Sequence, residues 1–349
     1  MKIIHFADLH IGSKFERLPE NIKNELNTKL RNAFSSIICF AQQNNISTII
    51  MSGDIFDKDS VLLNDKKFFY DSIKTNPEID FYYIKGNHDY NSKYNDVIEN
   101  LHIFNGVQSY IKDNVRIIGY ELIDDNSTLY NYTSFPTDKF NIMLLHGDIY
   151  NSNDKNYIDL KKLQNKNINY FALGHIHKSK SGFIGNSKYA YPGCVLGRGF
   201  DEIGEKGFLV LDTNLNETTF YKLSEIMFEH IDIKVNGMNE AQLKNEITKK
   251  LAVKNKTLIT EVRFVGKSEI EINVEDIQRS FESYRYYIII KNSSTLALQF
   301  EPIKNENSLR SMFINKILND DSLDDDTKEK VISYGLSKLM KEEGWNAYN

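Results

Sequence analysis

An α/β fold that presents its chemistry at strand ends is predicted by three features of the sequence. Short apolar runs alternate with longer stretches whose apolar residues recur at helical spacing, as strands and helices in turn would. Five of the apolar runs stop abruptly in a loop carrying Asp, Asn or His. Five of the eight histidines (His10, His88, His146, His175 and His177) lie in those loops, together with Asp8, Asp54 and Asn87. Ligands and reactions in α/β proteins sit outside the carboxyl ends of strands, so this recurrence points to one site rather than to scattered histidines.

Taken in order, Lys2 to Ala7 reads as a first strand, with Asp8-Leu9-His10-Ile11-Gly12 as its exit loop. Pro19 opens a long helix whose apolar face is Ile22, Leu26, Leu30, Phe34, Ile37 and Ile38. Ser47 to Met51 is the second strand, ending in Ser52-Gly53-Asp54-Ile55-Phe56-Asp57. A helix over Asn64 to Lys74 precedes the third strand, Phe81 to Ile84, which runs into Lys85-Gly86-Asn87-His88-Asp89. Val115 to Tyr120 and Asn141 to Leu145 follow, the second ending in His146-Gly147-Asp148. Tyr170 to Leu173 ends in Gly174-His175-Ile176-His177, and Lys206 to Leu211 with Thr218 to Tyr221 closes the unit.

The 349 residues leave room for two or three domains with a large core. A net charge of −5 gives no bulk attraction to nucleic acid, so such a partner must meet a local basic patch. The apolar start is broken at Asp8, too early for a signal peptide or a membrane span. Cys39 and Cys194 alone make no disulfide framework, and a reducing cytoplasm is the expected location. Cys194, beside the Pro192-Gly193 turn, is expected to be a structural thiol.

Imidazole suits manganese, iron and zinc, whereas carboxylate and amide oxygens suit harder ions. Three such oxygens and four histidines exceed what one ion takes from protein. They fit two ions sharing a carboxylate, roughly 3.5–4 Å apart as in hydrolytic two-metal centres. No Cys lies in the five loops, which argues against a structural thiolate zinc site. Such an ion pair polarises a phosphoryl group and lowers the pKa of a bridging water, so the expected chemistry is phosphoester hydrolysis.

The series Asp8-Leu9-His10, Gly53-Asp54, Gly86-Asn87-His88-Asp89, His146-Gly147 and Gly174-His175-Ile176-His177 resembles the calcineurin-like metallophosphoesterases. That resemblance implies a four-layer αββα sandwich with two divalent metal ions, manganese (Mn2+) being the expected species, at its strand ends. It implies Asp8, His10, Asp54 and His177 on the first ion, Asp54 as the bridge, and Asn87, His146 and His175 on the second. His88 would bind no metal and would face the scissile phosphate as general acid or charge stabiliser for the leaving oxygen. Asp57 stands where phosphoprotein phosphatases carry an Asp that orients this histidine. Archaeal nuclease relatives carry a second His there; this chain departs from them and agrees with bacterial members. Asp89 is expected to be structural.

Within the family, the two opening loops are similar in wording to the SbcD-type DNA repair exonucleases. So are Ala190-Tyr191-Pro192-Gly193, the run Gly197-Arg198-Gly199-Phe200-Asp201-Glu202 and Glu205-Lys206-Gly207, which are similar to firmicute-type members. Residues 151–200 also hold eight Lys or Arg (Lys155, Lys161, Lys162, Lys166, Lys178, Lys180, Lys188, Arg198) against two Asp. Lys178, Lys180 and Arg198 are the expected DNA contacts, touching phosphate without reading sequence.

The catalytic unit is expected over residues 1–223. Beyond it, Glu229 to Val235, Leu258 to Val265 and Tyr284 to Ile290 read as strands alternating with helices over Glu240 to Leu251 and Glu275 to Ser283. The resemblance implies that residues 224–302 form a capping domain that helps select DNA, with Arg279, Arg285 and Lys291 offered as further contacts. After Pro302, residues 303–349 read as two helices, Ser308 to Leu318 and Asp325 to Met340. Their expected apolar stripes are Leu309, Met312, Phe313, Ile317 and Leu318 on one, and Val331, Ile332, Leu336, Leu339 and Met340 on the other. The acidic residues between them, Asp320, Asp321 and Asp324 to Asp326, are read as favourable charge at the start of the second helix. The resemblance implies that this pair docks on the coiled-coil base of an SbcC-like ATPase and that the chain works as a homodimer with it.

Two other readings use the same residues. One is a small-molecule or cyclic-nucleotide phosphodiesterase or phosphatase whose C-terminal domain is a lid. The other is a DNA-tethering scaffold with vestigial catalysis, against which stand the seven intact ligand positions and His88.

Overall fold

The computed structural model describes the chain apart from residues 59–60, 90–96, 122–126, 132–133, 224–225, 252–254, 269, 271, 297–304, 306, 325–326, 329 and 337–349. By internal contacts it divides into two units, Met1–Glu229 and His230–Asn349.

The first unit is built on two six-stranded sheets. In one, β1 (Lys2–Phe6), β2 (Thr48–Ser52), β3 (Asp80–Ile84) and β4 (Leu101–Ile103) run parallel in that order. The other contains β5 (Val107–Lys112), β6 (Val115–Tyr120), β7 (Phe140–His146), β8 (Tyr170–Gly174), β9 (Lys180–Ile184) and β10 (Ser187–Tyr191), in the order β5-β6-β7-β8-β10-β9. Its four central strands are parallel, and its two edge strands are antiparallel to their neighbours. The chain then returns to the first sheet, adding β11 (Gly207–Asp212) and β12 (Glu217–Lys222) antiparallel on the free side of β1.

Strands that are buried on both faces read as continuous apolar runs, and successive side chains explain why. On β7, Ile142 and Leu144 enter the core between the sheets with Ile3, Ile50, Tyr82 and Ala172. Met143 and Leu145 point the other way, onto Phe171, Leu173, Ile158 and Leu163. Helices α1 (Glu20–Gln43) and α2 (Leu63–Lys74) bring aromatic rings to the first sheet, where Phe34 lies 4.9 Å from Phe69 and 5.9 Å from Phe6 between ring centroids. Leu129 of α3 (Ser127–Tyr130) and the 3-10 turn Leu160–Leu163 pack on the second sheet instead. The result is the four-layer α/β sandwich expected. Its fourth layer consists, among the described residues, of short turns rather than long helices.

The second unit contains, apart from the first three residues of β13, a three-stranded sheet in the order β13-β14-β16, formed by β13 (Met227–Lys234), β14 (Asn255–Val265) and β16 (Arg285–Asn292). A two-residue pairing joins β15 (Lys267–Ser268) to β17 (Thr295–Leu296). Helix α4 (Glu240–Leu251) contributes Leu243, Ile247 and Leu251, and α5 (Val274–Phe281) contributes Ile277 and Phe281, to a core with Val262, Phe264 and Ile288. Arg285, expected to face DNA, is buried instead. Its guanidinium donates to the Thr260 hydroxyl and to the Leu251 and Tyr284 carbonyls. Lys291 is paired with Glu261, and Arg279 with Glu275 and Asp276 on its own helix.

Helix α6 (Leu309–Leu318) and the helical residues 327–328 and 330–336 pack through Ile314, Ile332 and Leu336, with Ile317 and Leu318 alongside. The expected stripe on α6 is therefore rotated: Leu309 and Met312 are exposed, as are Val331 and Tyr334 on the second helix. Asp324 accepts from the Thr327 N–H at 2.8 Å, the capping geometry that the acidic stretch suggests. Pro302, Asp325, Asp326, Leu339 and Met340 lie outside the described residues.

Candidate metal centre

The five polar loops leave the carboxyl ends of β1, β2, β3, β7 and β8, all parallel members of their sheets. The first two loops are laced together beyond the strands. Asp8 N–H donates to the Gly53 carbonyl at 3.0 Å, His10 N–H to Asp54 at 3.1 Å and Asp57 N–H to Ile11 at 3.0 Å. The backbone is left-handed at Asp8 (φ 52°), His10 (φ 48°), Asp54 (φ 52°) and His175 (φ 97°). Residues with a Cβ hold that conformation at a cost, and functional sites collect such residues. The glycines serve close approach: a Cβ on Gly86 would strike the Asp54 carboxylate, and one on Gly174 the Ser52 carbonyl.

Among the described residues donor atoms converge in four groups. Two share Asp8, namely Asp8 with His10 and His177 and Asp8 with Asp54 and His146; the others are His10 with Asp57 and His88, and His177 with Cys194 and Glu202. His10 Nε2 lies 3.3 Å from His177 Nε2 and 3.9 Å from Asp54 Oδ2; His177 Nε2 lies 3.8 Å from Asp8 Oδ1. On the other side of Asp54, its Oδ2 is 3.3 Å from His146 Nε2, which is 3.2 Å from Asn87 Oδ1. His10 Nδ1 is buried with no hydrogen-bond partner among the described residues. Facing imidazole nitrogens and carboxylate oxygens at these distances need a proton or a cation between them, and two divalent ions fit this donor set. His175 stands a little apart. Its ring centroid is 5.3 Å from that of His146, and its Nε2 is 3.5 Å from Asp154 Oδ2.

Neighbours orient these groups. His146 Nδ1–H donates to the Ser52 carbonyl at 2.7 Å, which aims Nε2 at the centre. The Asp54 Oδ1 atom accepts from the His88 backbone N–H at 2.8 Å, and the Asp8 carboxylate accepts from the His175 N–H at 3.1 Å. Burial opposes ionisation of Asp54, yet the charge and hydrogen bond of His146 hold its carboxyl well below the usual range. His146 answers in kind: burial works against its charge, but Asp54 raises it to about 9 in the metal-free protein.

His88 is held differently. Its Nδ1–H donates to Asp57 Oδ1 at 3.0 Å, and the Ser13 hydroxyl donates to the other oxygen of Asp57 at 3.1 Å. The ring lies edge-on to His10 at 5.0 Å between centroids. Asp89 is fully buried and accepts from the N–H groups of Phe56 and Gly86, both at 2.9 Å, and of Ile55 at 3.3 Å. It ties the second loop to the third.

Sequence reasoning missed the role of Glu202. His177 Nδ1–H donates to Glu202 Oε1 at 2.6 Å, and the same oxygen accepts from Arg198 Nη2 at 2.9 Å and Nε at 3.2 Å. Burial opposes a charge on Glu202, but the His177 hydrogen bond and the Arg198 charge keep its carboxyl well below the ordinary range. The signal was present in Arg198 and Glu202, four residues apart in a glycine-rich stretch, yet nothing local said which histidine they serve. Asp154 beside His175 gave no signal at all.

The lysine-rich segment is not one patch. Lys178 is exposed and lines a cleft of about 420 Å3 with His175 and His177. Lys180 lies over the Tyr150 ring at 4.4 Å from its centroid, and Lys188 is buried and donates to the Asn216 carbonyl. Arg198 is engaged by Glu202. Cys194 is buried, with its thiol 3.6 Å from Glu202 Oε2, and burial pushes that thiol up.

Residues 1–216 match the family described as the calcineurin-like phosphoesterase superfamily domain. The metallophosphoesterase YhaO of Bacillus subtilis, itself described as uncharacterized, is 27% identical over 264 residues, 67% of this chain and 63% of that protein. The DNA double-strand break repair protein Mre11 of Saccharolobus solfataricus is 27% identical over 196 residues, 51% of this chain and 49% of that protein. The chain thus spans less than two thirds of the length of either relative. Among solved structures, the protein TT1561 of Thermus thermophilus covers 64% of this chain and 98% of its own, with 12% identity and a TM-score of 0.43.

Proposed function

This chain belongs to the calcineurin-like phosphoesterase superfamily, and from that premise we propose that it is a two-metal-dependent DNA nuclease, the cleaving subunit of an SbcCD-like repair complex. One observation carries the reading: two overlapping donor groups sit beside a histidine, His88, that has a carboxylate of its own. Bound divalent ions, manganese in this proposal, supply charge to polarise the phosphoryl group and to activate water. Asp8, His10, Asp54 and His177 would hold one ion. Asp54, Asn87, His146 and His175 would hold the other. Asp57 fixes the His88 ring through Nδ1 and leaves Nε2 to deliver a proton to the departing 3′ oxygen.

The likeness to Mre11 supports DNA as the substrate, as does the exposed Lys178 beside His175 and His177. The α/β domain after the catalytic unit would help select DNA. Leu309, Met312, Val331 and Tyr334 are exposed apolar residues on the C-terminal helix pair, and we assign to that pair helix-in-groove docking on an SbcC-like coiled-coil ATPase in a homodimeric assembly. No helix among the described residues is long and apolar enough to cross a membrane. Two free cysteines suit a reducing cytoplasm.

The test is direct. With manganese, the purified protein degrades linear or single-stranded DNA. His88→Ala lowers cleavage by about 10²–10⁴-fold, while mass spectrometry of the metal content still finds two ions per chain. Loss of the ions together with activity would contradict the role given to His88. DNA left intact beside rapid turnover of cyclic nucleotides would make the chain a small-molecule phosphodiesterase.

A further inference from the structure

A cleft of about 450 Å3 opens beside the His88–Asp57 pair, walled by residues 13–18 and 198–201. Two of its lining residues also touch histidines of the centre. Asp57 accepts from His88 Nδ1, and Arg198 Nη2 lies 3.2 Å from His177 Nδ1. The cleft therefore begins on the side of the centre where His88 stands. Its volume falls within the range of small-ligand pockets.

The walls divide by chemistry. Phe15, Phe200 and Phe228 form a deep apolar side, with 4%, 6% and 2% of their surface exposed. Lys14, Arg17 and Lys58 stand exposed on the rim, and none of their side chains has a hydrogen bond or ion pair among the described residues. Neighbouring cations are already committed, Arg198 to Glu202 and Lys206 to the His177 carbonyl. Glu16 and Asp201 also reach the cleft, so the three rim cations outnumber the acids that have no partner in the centre. Phe15 (φ 45°) and Lys58 (φ 35°) both hold left-handed backbone. For a bulky aromatic residue that is an outlier, and such strain is characteristic of ligand clamps.

We propose that this cleft receives the nucleoside on the leaving side of the scissile phosphate. Its sugar and base enter the cleft, and Lys14, Arg17 and Lys58 hold that nucleoside's own 5′-phosphate. The inference rests on the nuclease reading above and adds the shape of its substrate. His88 serves the departing 3′ oxygen, so the group attached to that oxygen must lie on the His88 side. Cations with no partner among the described residues are suited to the next phosphate along the strand, where a contact fixes register without reading sequence. The preferred substrate is then a polynucleotide carrying a phosphate one nucleoside upstream of the cut.

Two dinucleotides test this: thymidylyl-(3′→5′)-thymidine and the same molecule with a 5′-phosphate. With manganese, the wild-type protein should favour the phosphorylated form in kcat/KM by about tenfold or more, the order of one charge-assisted contact. Lys14→Ala and Arg17→Ala should each bring that ratio down toward unity, and Arg17→Lys should restore part of it. A variant that folds badly loses both rates together and leaves the ratio alone, so the ratio reports the contact. A wild-type ratio near unity, or a ratio retained in both alanine variants, overturns the assignment. So does cleavage of long DNA with inertness toward both dinucleotides. Hydrolysis of bis(p-nitrophenyl) phosphate with no cleavage of any DNA overturns the nuclease reading itself, and the cleft with it.

Discussion

Three side chains in the centre are aimed by what lies behind them. His146 leans on the Ser52 carbonyl, His88 on Asp57 and His177 on Glu202, each through Nδ1. A carboxylate behind a ligating imidazole fixes its tautomer and strengthens its lone pair. Glu202→Gln keeps the shape and removes the charge. It should weaken binding of the ion on His177 by about 10–100-fold while the other ion binds as before, resolved by calorimetric titration with manganese. Equal weakening of both ions, or of neither, would show that Glu202 does not serve His177. Arg198 shares the same oxygen, so the carboxylate carries its charge in a buried place without being left unpaired.

Between the sheets, His5 of β1 performs a task unlike that of the other histidines. Its Nδ1 is 2.9 Å from the Tyr170 hydroxyl on β8, and its Nε2 is 3.1 Å from the Ser52 hydroxyl on β2. Burial holds it down at about 3. Below pH 6.5 the unfolded chain takes up a proton that the folded chain refuses, so stability falls as pH falls through 6.5 and goes on falling toward 3. Between pH 6.5 and 4.5 that amounts to about 2 kcal/mol. His5→Gln should flatten the pH dependence of urea unfolding by that order, both proteins being measured without metal; parallel curves would sink the argument.

The same elements show what a sequence can and cannot reveal. Strands β1, β2, β3, β7 and β8 were legible because burial on both faces makes an uninterrupted apolar run. The short β4 and the edge strands β5 and β9 were not, since half-exposed strands such as Lys180–Ile184 carry no such run. The loops at strand ends announced their donors by residue type. Glu202, Ser13 and Asp154 reach the centre only through tertiary folding, and the exposed Leu309 and Met312 show that an apolar stripe does not say which way it faces.

At the scale of the whole molecule, the two units should respond separately to heat. All seven proposed ligands lie in Met1–Glu229. Manganese in hundredfold excess over its dissociation constant should stabilise that unit by about 2.7 kcal/mol per site, and EDTA should reverse the gain. Scanning calorimetry should show one transition moving and the other staying; if both moved together, the units would unfold as one. The oxygen donors Asp8, Asp54 and Asn87 come from the sheet of β1 to β3, whereas His146, His175 and His177 come from the sheet of β7 and β8. Each proposed ion is thus a rivet with a foot in either plate. A side chain trimmed in the filling between the plates, at Ile50 or Leu144 for instance, would tilt one foot against the other without touching a ligand. In this architecture, a loss of packing between the plates should register as a loss of turnover.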